Sequence, residues 1–203
     1  CIDTLPIISN ILVCTQKDLN IQICILKAIR NISMESRCRD SLHSLISSLV
    51  PYLDENSTHI TSLSQVLAAM YDLCRLSKER QTIAIEAGII PHLMHIIQSN
   101  LPIKQFALST ILIIANNSIA QEELLKYDGL TFYVSLLKDQ YWNIPALQTL
   151  SNWLQDDPIR LSFLLCQHRY ITILIQLFTN KTLSHLQFLE VLGTIHTMML
   201  VSP

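Results

Sequence analysis

The chain has 203 residues, of which 50% are hydrophobic and 15% charged, with a formal net charge of −2. This composition folds, and its three glycines, Gly88, Gly129 and Gly193, stand too far apart for a Rossmann fingerprint or a phosphate-cradling loop. Fourteen Lys and Arg against sixteen Asp and Glu, with no basic run longer than two residues, argue against a nucleic-acid-binding surface.

The six cysteines form no CxxC pair and are expected as reduced thiols in an intracellular protein. Apolar runs such as Ile111 to Ala115 are broken by polar residues long before the roughly eighteen needed to span a bilayer, so no membrane insertion is expected. The chain opens at Cys1 inside a hydrophobic pattern, with neither an initiator methionine nor a targeting segment, as expected of a piece of a longer polypeptide.

In chain order, five segments share one pattern: ILKAIRNIS, LAAMYDLC, ALSTILIIA, ALQTLSNWL and LEVLGTIHT. Their central apolar residues, Ile29, Met70, Ile111, Leu150 and Leu192, are spaced by 41, 41, 39 and 42 residues. A second series, Leu12, Val50, Ile97, Leu137 and Phe178, closes the preceding helix of each unit with spacings of 38, 47, 40 and 41. Two series in phase at this period predict an all-α, right-handed α-solenoid of about five armadillo or HEAT-like repeats. The units are approximately 1–34, 35–76, 77–117, 118–154 and 155–203, forming one domain without an interdomain linker.

The first unit lacks its first helix. In the second, Pro51 should interrupt the middle helix, and the polar stretch Asp54 to His59 should make a mobile loop. Three helices are predicted in the third unit, Lys78 to Ala87, Ile90 to Ser99 and Leu101 to Asn117, and three in the fourth, Ile119 to Tyr127, Leu130 to Lys138 and Tyr141 to Leu154. Three helices per unit favour armadillo over HEAT. Pro6, Pro91, Pro102, Pro145 and Pro158 fall at or near first turns. Asp157 reads as a cap, Ser118 with Gln121 as a capping box, and Gly88 and Gly129 as left-handed C-caps.

Catalytic signatures are missing from the sequence. His92 and His95 share a helix face but lack a third metal ligand nearby in sequence. The acid pairs Glu122–Glu123 and Asp156–Asp157 sit where helix dipoles favour carboxylates. No catalytic residue, metal or cofactor is expected. What a solenoid offers is a surface lined by the third helices, and their inner positions carry Arg30, Asn31, Tyr71, Asp72, Arg75, Asn116, Asn117, Gln148 and Asn152. Side-chain amides at such positions can pair with both N–H and C=O of an extended peptide, or can simply be solvated or cap their own helix.

An importin-like ladder would need a tryptophan four residues before each asparagine, whereas Lys27 and Gln148 precede Asn31 and Asn152. Trp153 belongs to the apolar stripe of Leu147, Leu150 and Leu154, while Trp142 follows a turn and is a candidate partner anchor. The last helix carries two apolar stripes: Leu186, Leu189, Leu192 and Met199, and Phe188, Val191, Ile195 and Met198. The second stripe is a candidate surface for self-association, for a further repeat or another chain, or for packing within its own unit.

One resemblance goes further. The residues Glu86-Ala87-Gly88-Ile89-Ile90-Pro91, Asp128-Gly129-Leu130, and Leu136-Leu137-Lys138-Asp139 followed by Tyr141-Trp142 and Ala146-Leu147 carry it. Over about Arg80 to Phe178 the chain resembles the C-terminal armadillo region of the fungal septation-initiation and mitotic-exit protein kinases and of plant mitogen-activated kinase kinase kinase epsilon. The resemblance implies a noncatalytic module whose parent is a serine/threonine kinase. It further implies binding of a small Ras-like GTPase, recruitment to the spindle pole body and a role in cytokinesis. A scaffold that dimerises the kinase is the alternative expectation.

Overall fold

The structure, a computed structural model, describes residues 7–8, 10–11, 18–34, 42–54, 59–99, 101–179 and 183–202. Among them are twelve α-helices and one 3-10 turn, with no strand. The third helix of the first repeat is α1 (Leu19–Met34). The second repeat contributes α2 (His43–Leu49), the 3-10 turn Val50–Leu53 and α3 (Ile60–Cys74). Full triplets follow: α4 (Lys78–Glu86), α5 (Ile89–Gln98) and α6 (Lys104–Ile114), then α7 (Ser118–Lys126), α8 (Gly129–Leu136) and α9 (Asn143–Asp156). The fifth repeat has α10 (Pro158–Leu165), α11 (His168–Phe178) and α12 (His185–Val201).

The contacts gather into two compact units, residues 1–120 and 121–203. In the first, α1 packs on α3, α3 on α6, and α5 on α6; in the second, α9 packs on α8, α10 and α12. The third-helix anchors explain this pairing, because Ile29, Met70, Ile111 and Leu150 are each 0% exposed. The fifth anchor is displaced by one residue: Leu192 is 39% exposed, whereas Val191 is 0% exposed. A step of one residue rotates a side chain by about 100° around the helix, from core to solvent. In the second series Leu12 lies outside the described residues, and Val50 and Leu137 are buried. Ile97 and Phe178 are each off by one, the fully packed positions being Ile96 and Leu177.

Proline and glycine set the punctuation. At Pro51 the α-helix changes to a 3-10 turn that buries Tyr52 and Leu53, and residues 55–58 of the predicted loop lie outside the described residues. Gly88 has φ 83° and makes the left-handed step between α4 and α5. One repeat later Asp128, not Gly129, takes that step, with φ 56° and ψ 34°. Gly129 opens α8 and is small for another reason, because a Cβ there would lie 2.6 Å from the Leu124 carbonyl oxygen.

Caps differ in the same way. The Asp157 carboxylate accepts from the Arg160 N–H at 3.2 Å, with Pro158 at the first helical position. The expected Ser118–Gln121 box does not form. Instead Asn117 Oδ1 accepts from the Ile119 N–H at 3.0 Å, and buried Gln121 donates through Nε2 to the Trp153 carbonyl at 3.3 Å. A reciprocal box does form between Ser184 and Gln187 at the start of α12.

Trp153 is fully buried and meets the Tyr133 ring edge-on at 4.9 Å between centroids, a contact that contributes on the order of 1 kcal/mol beyond its area. Cys24, Cys74 and Cys166 are free thiols. Among the described residues no single helix is long and apolar enough to cross a membrane.

Candidate functional site

Because Ile29, Met70, Ile111, Leu150 and Val191 point inward, the residues one and two positions later turn to one rim of the repeat. At the first of these stand Arg30, Tyr71, Leu112, Ser151 and Leu192, and at the second Asn31, Asp72, Ile113, Asn152 and Gly193. Apolar Leu112 and Ile113 interrupt the polar ladder in the third repeat, and each compact unit therefore carries its own polar groove.

In the first unit, α1 and α3 enclose a groove of about 700 Å³ lined by Lys27, Arg30, Asn31, Gln65, Tyr71, Asp72 and Arg75. Its centre is Asp72, whose side chain is only 9% exposed. Arg30 Nε donates to Asp72 Oδ2 at 2.7 Å, and Arg75 Nε approaches Oδ1 at 3.2 Å. The Arg75 guanidinium also stands 5.9 Å from the centre of the Tyr71 ring, within cation–π range. One buried acid thus holds two cations from consecutive repeats in fixed positions. A charge-assisted hydrogen bond of this kind contributes about 1.5–3 kcal/mol, at the lower end here because Arg30 is half exposed.

In the second unit, α9 and α12 form a groove of about 330 Å³ lined by Gln148, Ser151, Asn152, Gln155, Glu190, Gly193, Thr194 and Thr197. Gln148 donates to Glu190 across it. This groove contains a single charged group and no cation among its lining residues.

The structure therefore brings together Arg30, Asn31, Tyr71, Asp72 and Arg75 in one groove, and Gln148 and Asn152 in the other. Asn116, Asn117 and Trp142 line neither. Asn117 bridges two third-repeat helices and caps α7, donating through Nδ2 to Thr82 at 3.0 Å. Trp142 is half-buried at the start of α9, and its neighbour Tyr141 is the exposed aromatic, at 77%. The Asp139 carboxylate organises both by accepting from their backbone N–H groups at 2.8 and 3.3 Å.

Sequence reasoning missed Lys27 and Gln65 in the first groove and Glu190 in the second. Each stands within reach of the ladder by a helical spacing: Lys27 one turn before Arg30, Gln65 two turns before Asp72, and Glu190 one repeat beyond Gln148.

On α12 the two stripes are now distinguished. Val191 and Met198 are buried, Phe188 and Ile195 are partly covered, and α12 packs chiefly on α9 of the preceding repeat. Of the self-association candidates Phe188, Val191, Ile195 and Met198, burial therefore removes Val191 and Met198 from a free surface, while Phe188 and Ile195 stay partly exposed. The outward stripe is Leu186, Leu189, Leu192 and Met199, at 78%, 50%, 39% and 71% exposed, with Leu200 beside it at 73%.

The fold matches solved armadillo-repeat proteins. A computationally designed armadillo-repeat protein for modular peptide recognition superposes with a TM-score of 0.73 at 19% identity, covering 92% of this chain and 80% of that one. The armadillo-repeats-only protein of Plasmodium falciparum gives 0.70 at 15%, covering 87% and 79%. This is an α-solenoid of armadillo type. No protein-family model matches the chain.

Sequence relatives narrow the class. Cytokinesis protein sepH of Aspergillus niger is 38% identical over 157 residues, which is 73% of this chain and 12% of that protein. MAP3K epsilon protein kinase 1 of Arabidopsis thaliana is 37% identical over 138 residues, 66% of this chain and 10% of that protein. Cell division control protein 7 of Schizosaccharomyces pombe is 28% identical over 134 residues, 65% and 13% respectively. Over about 70% of its length the chain is homologous to these fungal cell-division kinases and plant MAP3K epsilon kinases, as the residues from Glu86 to Leu147 led one to expect. It spans about one eighth of the length of the curated relatives it matches.

Proposed function

We propose that this chain is the noncatalytic binding and targeting module of a cytoplasmic serine/threonine kinase of cell division, and that it binds a small Ras-like GTPase to recruit the kinase to the spindle pole body. Recruitment then promotes septation and cytokinesis. The observation that carries this reading is the groove held open by Arg30, Asp72 and Arg75, a polar surface fixed by ion pairs on a fold built for protein contact. The kinship with cytokinesis and cell-division proteins supports the process.

The test is a pull-down of the purified chain with septation or mitotic-exit GTPases loaded with a GTP analogue or with GDP. Retention that prefers the GTP analogue supports the reading. Absence of retention in both states, with the chain shown to be folded by circular dichroism, overturns it.

A second reading, self-association that concentrates the kinase, is favoured by the exposed stripe Leu186, Leu189, Leu192 and Met199. Light scattering checks it. A dimeric mass that becomes monomeric in Leu189→Glu with Met199→Glu supports this reading, and a monomeric mass for the parent chain rejects it.

A further inference from the structure

The first groove has a sign. Its lining holds three cations, Lys27, Arg30 and Arg75, against one anion, Asp72, an excess of two positive charges on a chain whose net charge is −2. The anion is also committed, since its two oxygens face two different guanidiniums and its side chain is 9% exposed. A basic ligand would find no accessible carboxylate among these residues. By contrast, Arg30 uses Nε for the ion pair while half of its side chain stays exposed, and Lys27, one turn away on α1, is exposed as well.

We infer that the groove between α1 and α3 receives an extended acidic segment of a protein partner, with Lys27, Arg30 and Arg75 meeting successive Asp or Glu side chains. Asp72 is the positioning residue. The inference rests on the reading of the chain as a protein-binding module. Three features set the chemistry. Lys27 and Arg30 stand one turn apart on α1 and Arg75 follows the end of α3, so cations from two helices face one groove and can meet carboxylates on more than one ligand residue. Asn31 and Gln65 place amides beside them, able to pair with the N–H and C=O of an extended backbone. Asp72 and the Tyr71 ring hold the guanidiniums before the ligand arrives, which lowers the ordering cost of binding.

The experiment is fluorescence anisotropy of the whole chain with a labelled octapeptide of alternating Asp and Glu, its Asn and Gln counterpart, an octapeptide of alternating Lys and Arg, and a phosphoserine peptide. The acidic peptide should bind, the neutral and basic ones should not, and affinity should fall several-fold between about 50 and 200 mM salt. Lys27→Gln with Arg30→Gln should weaken binding at least tenfold, and Lys27→Gln alone, which leaves the Arg30–Asp72 pair intact, should weaken it several-fold with an unchanged thermal midpoint. Asp72→Asn should also weaken it although it removes a negative charge, the opposite of what simple charge counting gives.

Equal binding of the acidic and neutral peptides, unaltered affinity in the double variant, or preference for the phosphoserine peptide would overturn the inference. Failure here while the GTPase is still retained removes only the acidic-segment assignment. Binding of the acidic peptide without any GTPase retention removes only the GTPase.

Discussion

The groove between α1 and α3 and the groove between α9 and α12 occupy the same register of their repeats, yet their electrostatics differ. The first is basic and closed by a buried carboxylate between two arginines; the second is lined by amides, hydroxyls and the exposed Glu190. The apolar anchors one and two residues earlier are interchangeable, Ile29 and Met70 in one unit, Leu150 and Val191 in the other. In this solenoid, core positions fix the architecture while the next two residues on the rim vary in charge, so recognition can change without refolding.

The strongest way to break the comparison is to remove the core under one groove only. Trp153→Ala should cost about 3–5 kcal/mol, measured by urea unfolding, and hydrogen exchange should show lost protection in residues 121–203, the unit that holds Gln148 and Glu190. Protection lost equally throughout residues 1–120 would mean that the two units do not respond separately. Next in size, Gly129→Ala forces a Cβ against a backbone carbonyl and should cost about 2 kcal/mol or more, against about 1 kcal/mol for Gly88→Ala, where the position is open and only the left-handed backbone resists. Thermal midpoints rank the pair.

The grooves themselves are contrasted by Asp72→Ala, which leaves two guanidiniums together without their acid and should cost about 1–3 kcal/mol. Glu190→Ala, at an exposed pair, should change stability by about 0.5 kcal/mol or less. Similar losses in both variants would erase the distinction between a fixed and a solvated groove.

A further difference between the two units concerns alkaline pH. Burial pushes the Cys74 thiol up to about 12 from an ordinary value of 9.0, with Arg80 opposing weakly. A raised folded value favours the neutral form, so this contribution is fully present below about pH 9 and is lost as pH climbs toward 12. At pH 10 the loss is on the order of 1 kcal/mol. Tyr133, in the other unit, is also raised by burial, but from 10.0, so the first unit should weaken at lower pH than the second. Cys74→Ala should abolish the difference in a pH series of unfolding curves.

The period and the three-helix unit were legible because apolar anchors recur in sequence. The phase within a helix was less so. Leu192, Ile97 and Phe178 sit beside Val191, Ile96 and Leu177, pairs of adjacent apolar residues between which only packing chooses. Ser118 and Gln121 carry the same signature as Ser184 and Gln187, yet only the second pair closes, because Gln121 is drawn into the core to satisfy a carbonyl of Trp153. Gly88 and Gly129 look equivalent in sequence, but one serves a backbone angle and the other a lack of space. For the groove, Arg30, Asn31, Tyr71, Asp72 and Arg75 could be placed on one rim by helical phase. That Asp72 is the shared centre depends on α1 lying against α3, which spacing alone does not give.

The polar links between helices have a regular reach. Gln22 to Ser62, Arg30 to Asp72, Asn117 to Thr82, Thr131 to Tyr170 and Ser162 to Ser202 join residues 40, 42, 35, 39 and 40 positions apart. Every such link closes a loop of one repeat, so the entropic cost of adding each repeat is nearly the same wherever folding begins. No step among these waits for the distant ends of the chain to meet. Such low contact order predicts fast assembly that can start at any neighbouring pair and spread outward, and a nascent chain could begin to fold once two repeats have left the ribosome.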